Sequence, residues 1–281
     1  KKTAKKFNIK SYYTNFDEMI SKKNIEILNI CTPPSSHYKY IINAIKNKMH
    51  IFVEKPFVTS LKQFDKIRKK LKKGDIHCYC AYHQRSRPVS ELIKKLIKEK
   101  KIGEIYYINI VYRQFRSIPK HSKFFSEKKY SGGGPLIDLG SHFFDLVGWF
   151  MNFPKVKKVS NYCFDNISKM KNEKKYLPFN KFDNEEFSVG NIKLENGCVI
   201  NYELSYVLNA KKKISYIELF GTKGMIKWPD GEITEIRNNQ PITRKMTVKN
   251  LLASQKQVNN FINNLCNKFS LKYLNEIRYT V

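Results

Sequence analysis

The sequence predicts an α/β protein in two parts: a doubly wound parallel sheet, followed by an α+β region with a largely antiparallel sheet. Three observations predict it. Short apolar runs alternate with amphipathic stretches of helical spacing through residues 1–103. From Val156 onward, strand-like runs follow one another at hairpin spacing. The hydrophobic content of 41% is enough to bury a core, yet no run reaches the ~18 consecutive apolar residues of a membrane span.

In the first part, Ile25–Ile30 is a short apolar run of the kind found in a parallel strand covered on both faces. The turn Cys31-Thr32-Pro33-Pro34-Ser35-Ser36 follows. A helix is expected over His37–Lys48, with Tyr40, Ile41, Ala44 and Ile45 on one face. His50–Val53 is the next strand and ends at Glu54-Lys55-Pro56. Ser60 can cap a helix carrying Leu61, Phe64, Ile67 and Leu71, which Gly74 stops. His77–Tyr82 is a third strand, and Pro88–Lys100 a third helix closing near Gly103. Strand and helix in strict alternation imply right-handed crossovers and a parallel sheet.

The second part opens with Glu104–Phe115, long and partly alternating. Gly132-Gly133-Gly134 leads into a strongly apolar helix expected over Pro135–Phe150. Strands are expected at Val156–Cys163, Phe187–Leu194, Val199–Tyr206, Ile214–Phe220 and Gly224–Trp228. Asn196-Gly197 is a hairpin signal between two of them. Ser168–Lys181 is the most linker-like stretch, and a last helix is expected over Val248–Cys266. The division is therefore 1–103 and 104–281.

The net charge of +29 raises nucleic acid or an anionic membrane as partners. The basic residues are 45 Lys against 8 Arg, spread through every segment. Bidentate phosphate and base contacts favour clustered Arg. The charge is read as solvated lysine faces, and neither partner is expected. Six sparse cysteines, several inside apolar runs, suit buried free thiols of a reducing, cytoplasmic protein. His77, Cys78, Cys80 and His83 alternate along one strand, so they point to opposite faces and cannot converge on a metal.

Two features carry chemistry. Lys55 stands at the carboxyl end of a parallel strand, where α/β sheets bind ligands. A lysine there can hold a substrate oxygen and stabilise developing alkoxide charge. The second is Asp138-Leu139-Gly140-Ser141-His142-Phe143-Phe144-Asp145. Asp138 and His142 are four residues apart and share a helix face, and a carboxylate beside an imidazole orients it and raises its basicity. Gly140 costs such a helix about 1 kcal/mol relative to Ala, which is expected where a ligand or backbone comes close.

Taken in order, these motifs resemble the Gfo/Idh/MocA oxidoreductases, of the glucose–fructose oxidoreductase and inositol dehydrogenase type. The turn Cys31–His37, Glu54-Lys55-Pro56, Gly132–Gly134 with Asp138–Asp145, and Gly221-Thr222-Lys223-Gly224 carry the resemblance. It implies an incomplete Rossmann-type sheet and NAD or NADP as cofactor. The substrate implied is a sugar, sugar nucleotide or inositol, and the assembly a dimer or tetramer. It makes Lys55, Asp138 and His142 the catalytic set. His142 is the general base, Lys55 holds the oxygen, and Asp138 orients the sugar ring or the imidazole. It places Thr32, Pro33, Ser36, His37, Glu54 and Lys55 at the cofactor cleft, with Arg85 and Arg87 near it. Glu185 and Glu186 are weaker candidates for substrate contact, expected in a solvated loop.

The sequence departs from the family in two respects. No Gly-x-Gly-x-x-Gly turn follows a first strand, and about 30 residues of a βαβ unit are expected ahead of Lys1. The C-terminal pattern Leu274, Ile277, Val281 likewise suggests a closing helix cut short. These 281 residues alone are therefore expected to bind nicotinamide cofactors poorly. A non-catalytic sugar-binding or sensor protein and an NAD-dependent glycosidase remain as alternative readings.

Overall fold

The computed structural model describes residues 1–22, 24–72, 76–119, 123–172, 182–246, 256 and 258–261. Gly74, Cys266, the 272–281 pattern, the second half of the expected linker and most of the expected last helix lie outside them. Residues 256 and 258–261 are helical.

Helices α1 (Lys2–Lys6) and α2 (Phe16–Lys22) precede a βαβαβ unit of β1 (Ile27–Ile30), α3 (Pro34–Lys46), β2 (His50–Val53), α4 (Leu61–Leu71) and β3 (Cys78–Cys80). The three strands form one parallel sheet in the order β1-β2-β3, with Ile27 opposite His50 and Ile51 opposite Cys78. The spacing of apolar residues decides what each element buries. Ile41 and Ala44 of α3 and Phe64, Ile67 and Leu71 of α4 sit at three- and four-residue intervals. They cover Leu28, Ile30, Ile51, Val53, Cys78 and Cys80. Phe261 packs on Phe52 and Ala81. Ser60 caps α4 as expected, its side chain accepting from Gln63 N at 3.4 Å.

A 3₁₀ turn (His83–Ser86) leads to α5 (Pro88–Lys98) and β4 (Ile105–Arg113). A second 3₁₀ turn (Lys123–Phe125), α6 (Lys128–Ser131), α7 (Pro135–Asp138) and α8 (Gly140–Phe150) follow. The rest is sheet: β5 (Val156–Phe164), β6 (Phe187–Leu194), β7 (Val199–Ser205), β8 (Ile214–Gly221), β9 (Gly224–Trp228), β10 (Glu232–Arg237) and β11 (Gln240–Lys245). Eight strands form one sheet in the order β11-β10-β9-β8-β4-β7-β6-β5, antiparallel except where β4 and β7 run parallel. Strand alternation gives it one buried face: Ile108, Ile110, Ile200, Leu204, Ile217, Leu219 and Ile226 meet Ile93 of α5 and Leu146 and Phe150 of α8.

Three expectations change. The single helix over Pro135–Phe150 is two, with Leu139 between them. The β10–β11 hairpin was not expected; it turns at Asn238 and Asn239, both at positive φ (51° and 60°), which Asn tolerates better than most residues. Of the described cysteines, Cys78, Cys80 and Cys198 are buried but Cys31 and Cys163 are exposed. The Asn196-Gly197 turn lies between β6 and β7 as expected, with Gly197 at φ +87°. Among the described residues, no helix is long and apolar enough to cross a membrane.

Candidate active site

The site is assembled from three separate elements. Lys55 leaves the carboxyl end of β2 just before Pro56; the Lys55–Pro56 peptide is cis. Its Nζ donates to Asp138 Oδ1 at 2.5 Å and to the Asp138 carbonyl at 2.8 Å, across 83 residues of sequence. Tyr206, just beyond β7, donates its hydroxyl to Asp138 Oδ2 at 2.5 Å. Each carboxylate oxygen thus has its own donor, as a partly buried anion requires. The Lys55 and Asp138 side chains are 15% and 19% exposed. Burial, then the Asp138 charge, holds the Tyr206 phenol well above its ordinary value, so it remains a donor.

Asp138 is placed by the glycine run ahead of it. A Cβ on Gly134 would fall on the Glu185 backbone carbonyl, so only glycine lets this turn pass. Glu185 Oε1 then accepts Leu136 N at 3.2 Å, satisfying an unpaired donor of the first turn of α7. Lys55 and the Ser141 hydroxyl both donate to the Asp138 carbonyl. The His142 amide instead bonds Leu139 O at 3.0 Å. That is the physical reason for two helices: the acceptor that would continue the ladder is engaged by side chains. Gly140 answers a packing need, since a Cβ there would meet Phe144 at 2.9 Å and Leu204 of β7 at 3.3 Å.

The carboxyl ends of β1 and β2 open into a cavity of about 370 Å³. Thr32, Pro33, Glu54, Lys55 and Asp138 line it, with Phe124 and Phe125 opposite. Ser36 and His37 are not among the lining residues. The Ser36 hydroxyl donates to Thr32 Oγ1 at 2.7 Å. His37 is wholly buried, its Nδ1 2.9 Å from the Pro56 carbonyl and its Nε2 2.8 Å from the Thr32 carbonyl. Both residues support the cleft's backbone from behind. A larger hollow of about 540 Å³, flanked by Lys94, Glu104 and Asn152, contains none of the expected site residues.

His142 does not pair with Asp138, whose two oxygens are taken. It meets His83 of the first 3₁₀ turn edge to face, ring centroids 4.9 Å apart, and its Nδ1 is buried without a partner. Burial, then the Lys55 and His83 charges, hold it well below the usual histidine value. Asp145 is wholly buried and takes Arg85 in two hydrogen bonds, at 2.8 and 2.5 Å. Arg85 is therefore engaged away from the cleft. Arg87 stacks over the Trp228 ring at 5.2 Å. Glu186 is buried too, accepting the Ile167 and Ser168 amides at 2.7 and 2.6 Å, so it is no solvated loop residue. Sequence reasoning missed Tyr206 as a site residue, and saw His83 only as a metal candidate. A tyrosine just past a strand end was the available signal for the first.

A strand-end cleft on a parallel sheet, with a lysine clamped to a carboxylate from a second, antiparallel-sheet region, marks a two-part α/β protein with its ligand site at the strand ends. Residues 1–82 match the model of the oxidoreductase family with an NAD-binding Rossmann fold, and residues 91–227 the GFO/IDH/MocA C-terminal domain. The chain belongs to the GFO/IDH/MocA family. It is 26% identical over 216 residues to the D-glucoside 3-dehydrogenase of Escherichia coli, covering 75% of this chain and 60% of that protein. It is 23% identical over 225 residues to the myo-inositol 2-dehydrogenase of Thermotoga maritima, covering 79% and 61%. The chain thus spans about three fifths of these curated relatives. Levoglucosan dehydrogenase in complex with NADH and levoglucosan superposes with a TM-score of 0.81 at 20% identity, covering 96% of this chain and 78% of that one.

Proposed function

We propose that this protein moves a hydride between NAD or NADP and a secondary hydroxyl of a sugar, sugar nucleotide or inositol. Residues 1–103 form the cofactor side and 104–281 the substrate side. The observation that supports this most is the clamp of Lys55 by Asp138, which joins the two sides at a strand-end cleft.

The cleft's size and lining fit the nicotinamide end of a dinucleotide: an open strand-end crevice of about 370 Å³ with Thr32, Pro33 and Glu54 on one flank. When bound, the nicotinamide supplies a hydride acceptor or donor. Lys55 has three N–H donors, of which two go to Asp138, leaving one for the substrate oxygen. That donor holds the oxygen and stabilises its charge as the proton leaves. His142, kept neutral by its surroundings, is the base that takes the proton. Asp138 acts by fixing Lys55. The open face of the eight-stranded sheet is the proposed dimer or tetramer contact.

The test is to incubate the protein as its natural gene encodes it with NAD or NADP and a panel of sugars, sugar nucleotides and inositols. Accumulation of reduced nicotinamide with at least one is expected. Lys55→Met and His142→Asn should each lower kcat/KM by about 10²–10⁴-fold. No reduced nicotinamide with any substrate would refute the reading, and light scattering on the same preparation reads the assembly.

A further inference from the structure

We infer that His83 is the positioning residue for His142, the two imidazoles forming one edge-to-face unit beside Lys55 that has room for a single added proton. This rests on the proposed role of His142 as base. An imidazole base is ordinarily oriented through its second nitrogen by a carboxylate or a carbonyl. Here both nearby carboxylates are engaged: Asp138 by Lys55 and Tyr206, Asp145 by Arg85. His142 Nδ1 is buried with no partner, so no hydrogen bond at that nitrogen sets the plane of the ring. The ring contact that the structure shows is with His83, at 4.9 Å and an interplanar angle of 74°.

The surrounding charges make the pair a proton-limited unit. Lys55 faces both rings from the end of β2, and Arg87 faces His83 from the start of α5. Asp138 on α7 is matched by Lys55, and Asp145 on α8 by Arg85 from the 3₁₀ turn. Tyr206, beyond β7, remains neutral. The sum around the two rings is positive, so a first proton is disfavoured and a second more so. Both histidines are held below the usual value, with burial the leading cause for each and Lys55 next. A neutral His83 thus keeps His142 free to accept the substrate proton, and a protonated His83 opposes that transfer.

The experiment is a pH titration of the histidine ring signals by NMR, on the protein without cofactor or substrate. His83→Asn and His142→Asn assign the two rings. In the wild type, each ring is expected to show a two-step curve, because a proton on one ring opposes a proton on the other. In His83→Asn, which keeps a polar side chain but removes the second ring, His142 should titrate in one step, moved up. Single independent steps in the wild type, or an unchanged His142 curve in His83→Asn, would overturn the inference. If His83→Asn does not fold, the wild-type curves decide alone. Where turnover is measurable, the acid limb of kcat/KM should move up with the His142 curve, a shift that loss of packing alone does not produce. Absence of turnover with any substrate sinks the proposed function and leaves this titration standing. Turnover with uncoupled rings sinks only the role of His83.

Discussion

Replacing Asp145 by Asn removes the carboxylate that ties the strand-end turn after β3 to α8. The expected cost follows from burial. The Asp145 side chain is 0% exposed and that of Arg85 11%, and the guanidinium presents Nε and Nη2 to the two carboxylate oxygens at 2.8 and 2.5 Å. An exposed ion pair contributes about 0–1 kcal/mol, whereas breaking a buried one by removing a partner costs about 3–5 kcal/mol. The second figure applies, because both members of the pair are buried, with the Tyr82 and Phe153 rings against Arg85. That is a large share of the about 5–15 kcal/mol that holds a typical domain together. Urea unfolding followed by circular dichroism should show the midpoint falling with the slope unchanged. The paired change Arg85→Met with Asp145→Leu should recover most of the loss, since it removes both charges and fills the space. A loss below about 1 kcal/mol for Asp145→Asn, the value of a solvated pair, would refute this account of the burial.

Two further outcomes follow from the geometry. Gly134→Ala puts a methyl group onto the Glu185 carbonyl and must displace α7, so a loss of about 1–3 kcal/mol in thermal unfolding is expected, with activity lost alongside. Gly197→Ala, where a Cβ meets nothing but φ is +87°, is the control, and should cost about 1 kcal/mol with activity retained. The second outcome concerns acid. His83 and His142 are both held below the ordinary histidine value of about 6.5 in the folded protein, so the unfolded chain binds more protons as pH drops below it. Their contribution to stability is complete above that value and is lost as pH falls from it toward the folded values. The slope is at most about 1.4 kcal/mol per pH unit for each ring. Urea midpoints measured across this range in wild type and His142→Asn check it; equal pH slopes in the two would contradict it.

Where periodicity was unbroken, the fold was legible. The apolar runs of β1 and β2 and the spacing of Phe64, Ile67 and Leu71 mark a parallel sheet and its helix, but β1 is covered on one face only, since Ile27 and Asn29 are exposed. Gly197 marks the β6–β7 turn because the three-residue connection 195–197 ends in a residue at positive φ. The β10–β11 hairpin carries a fainter version of the same signal in Asn238-Asn239, and its exposed β11 has no buried face to produce alternation. Lys55 and Asp138 were legible as a pair of motifs, and the structure brings them within 2.5 Å. Ser36 and His37 belong to the right turn but face its backbone, a distinction that sequence order does not encode.

The pairing of Asp138 with His142 was the reading that spacing favoured most and the structure does not bear out. Residues four apart meet only if the helix between them is continuous and no stronger donor competes for the acceptor. Both conditions fail for one reason, because Lys55 donates to the carboxylate and to the main-chain carbonyl of the same residue. A hydrogen bond from an ammonium to a carboxylate is roughly twice as strong as one between neutral groups. The lysine therefore takes the acid, Tyr206 completes it, and the helix restarts at Gly140. With the carboxylate gone, the ring contact that His142 keeps among the described residues is with His83. A lysine 83 residues away thus decides both where α7 ends and which neighbour His142 keeps. That contact lies outside any local pattern, and it gives Asp138 a partner, the Lys55 cation, that the expected role of orienting the sugar ring or the imidazole did not include.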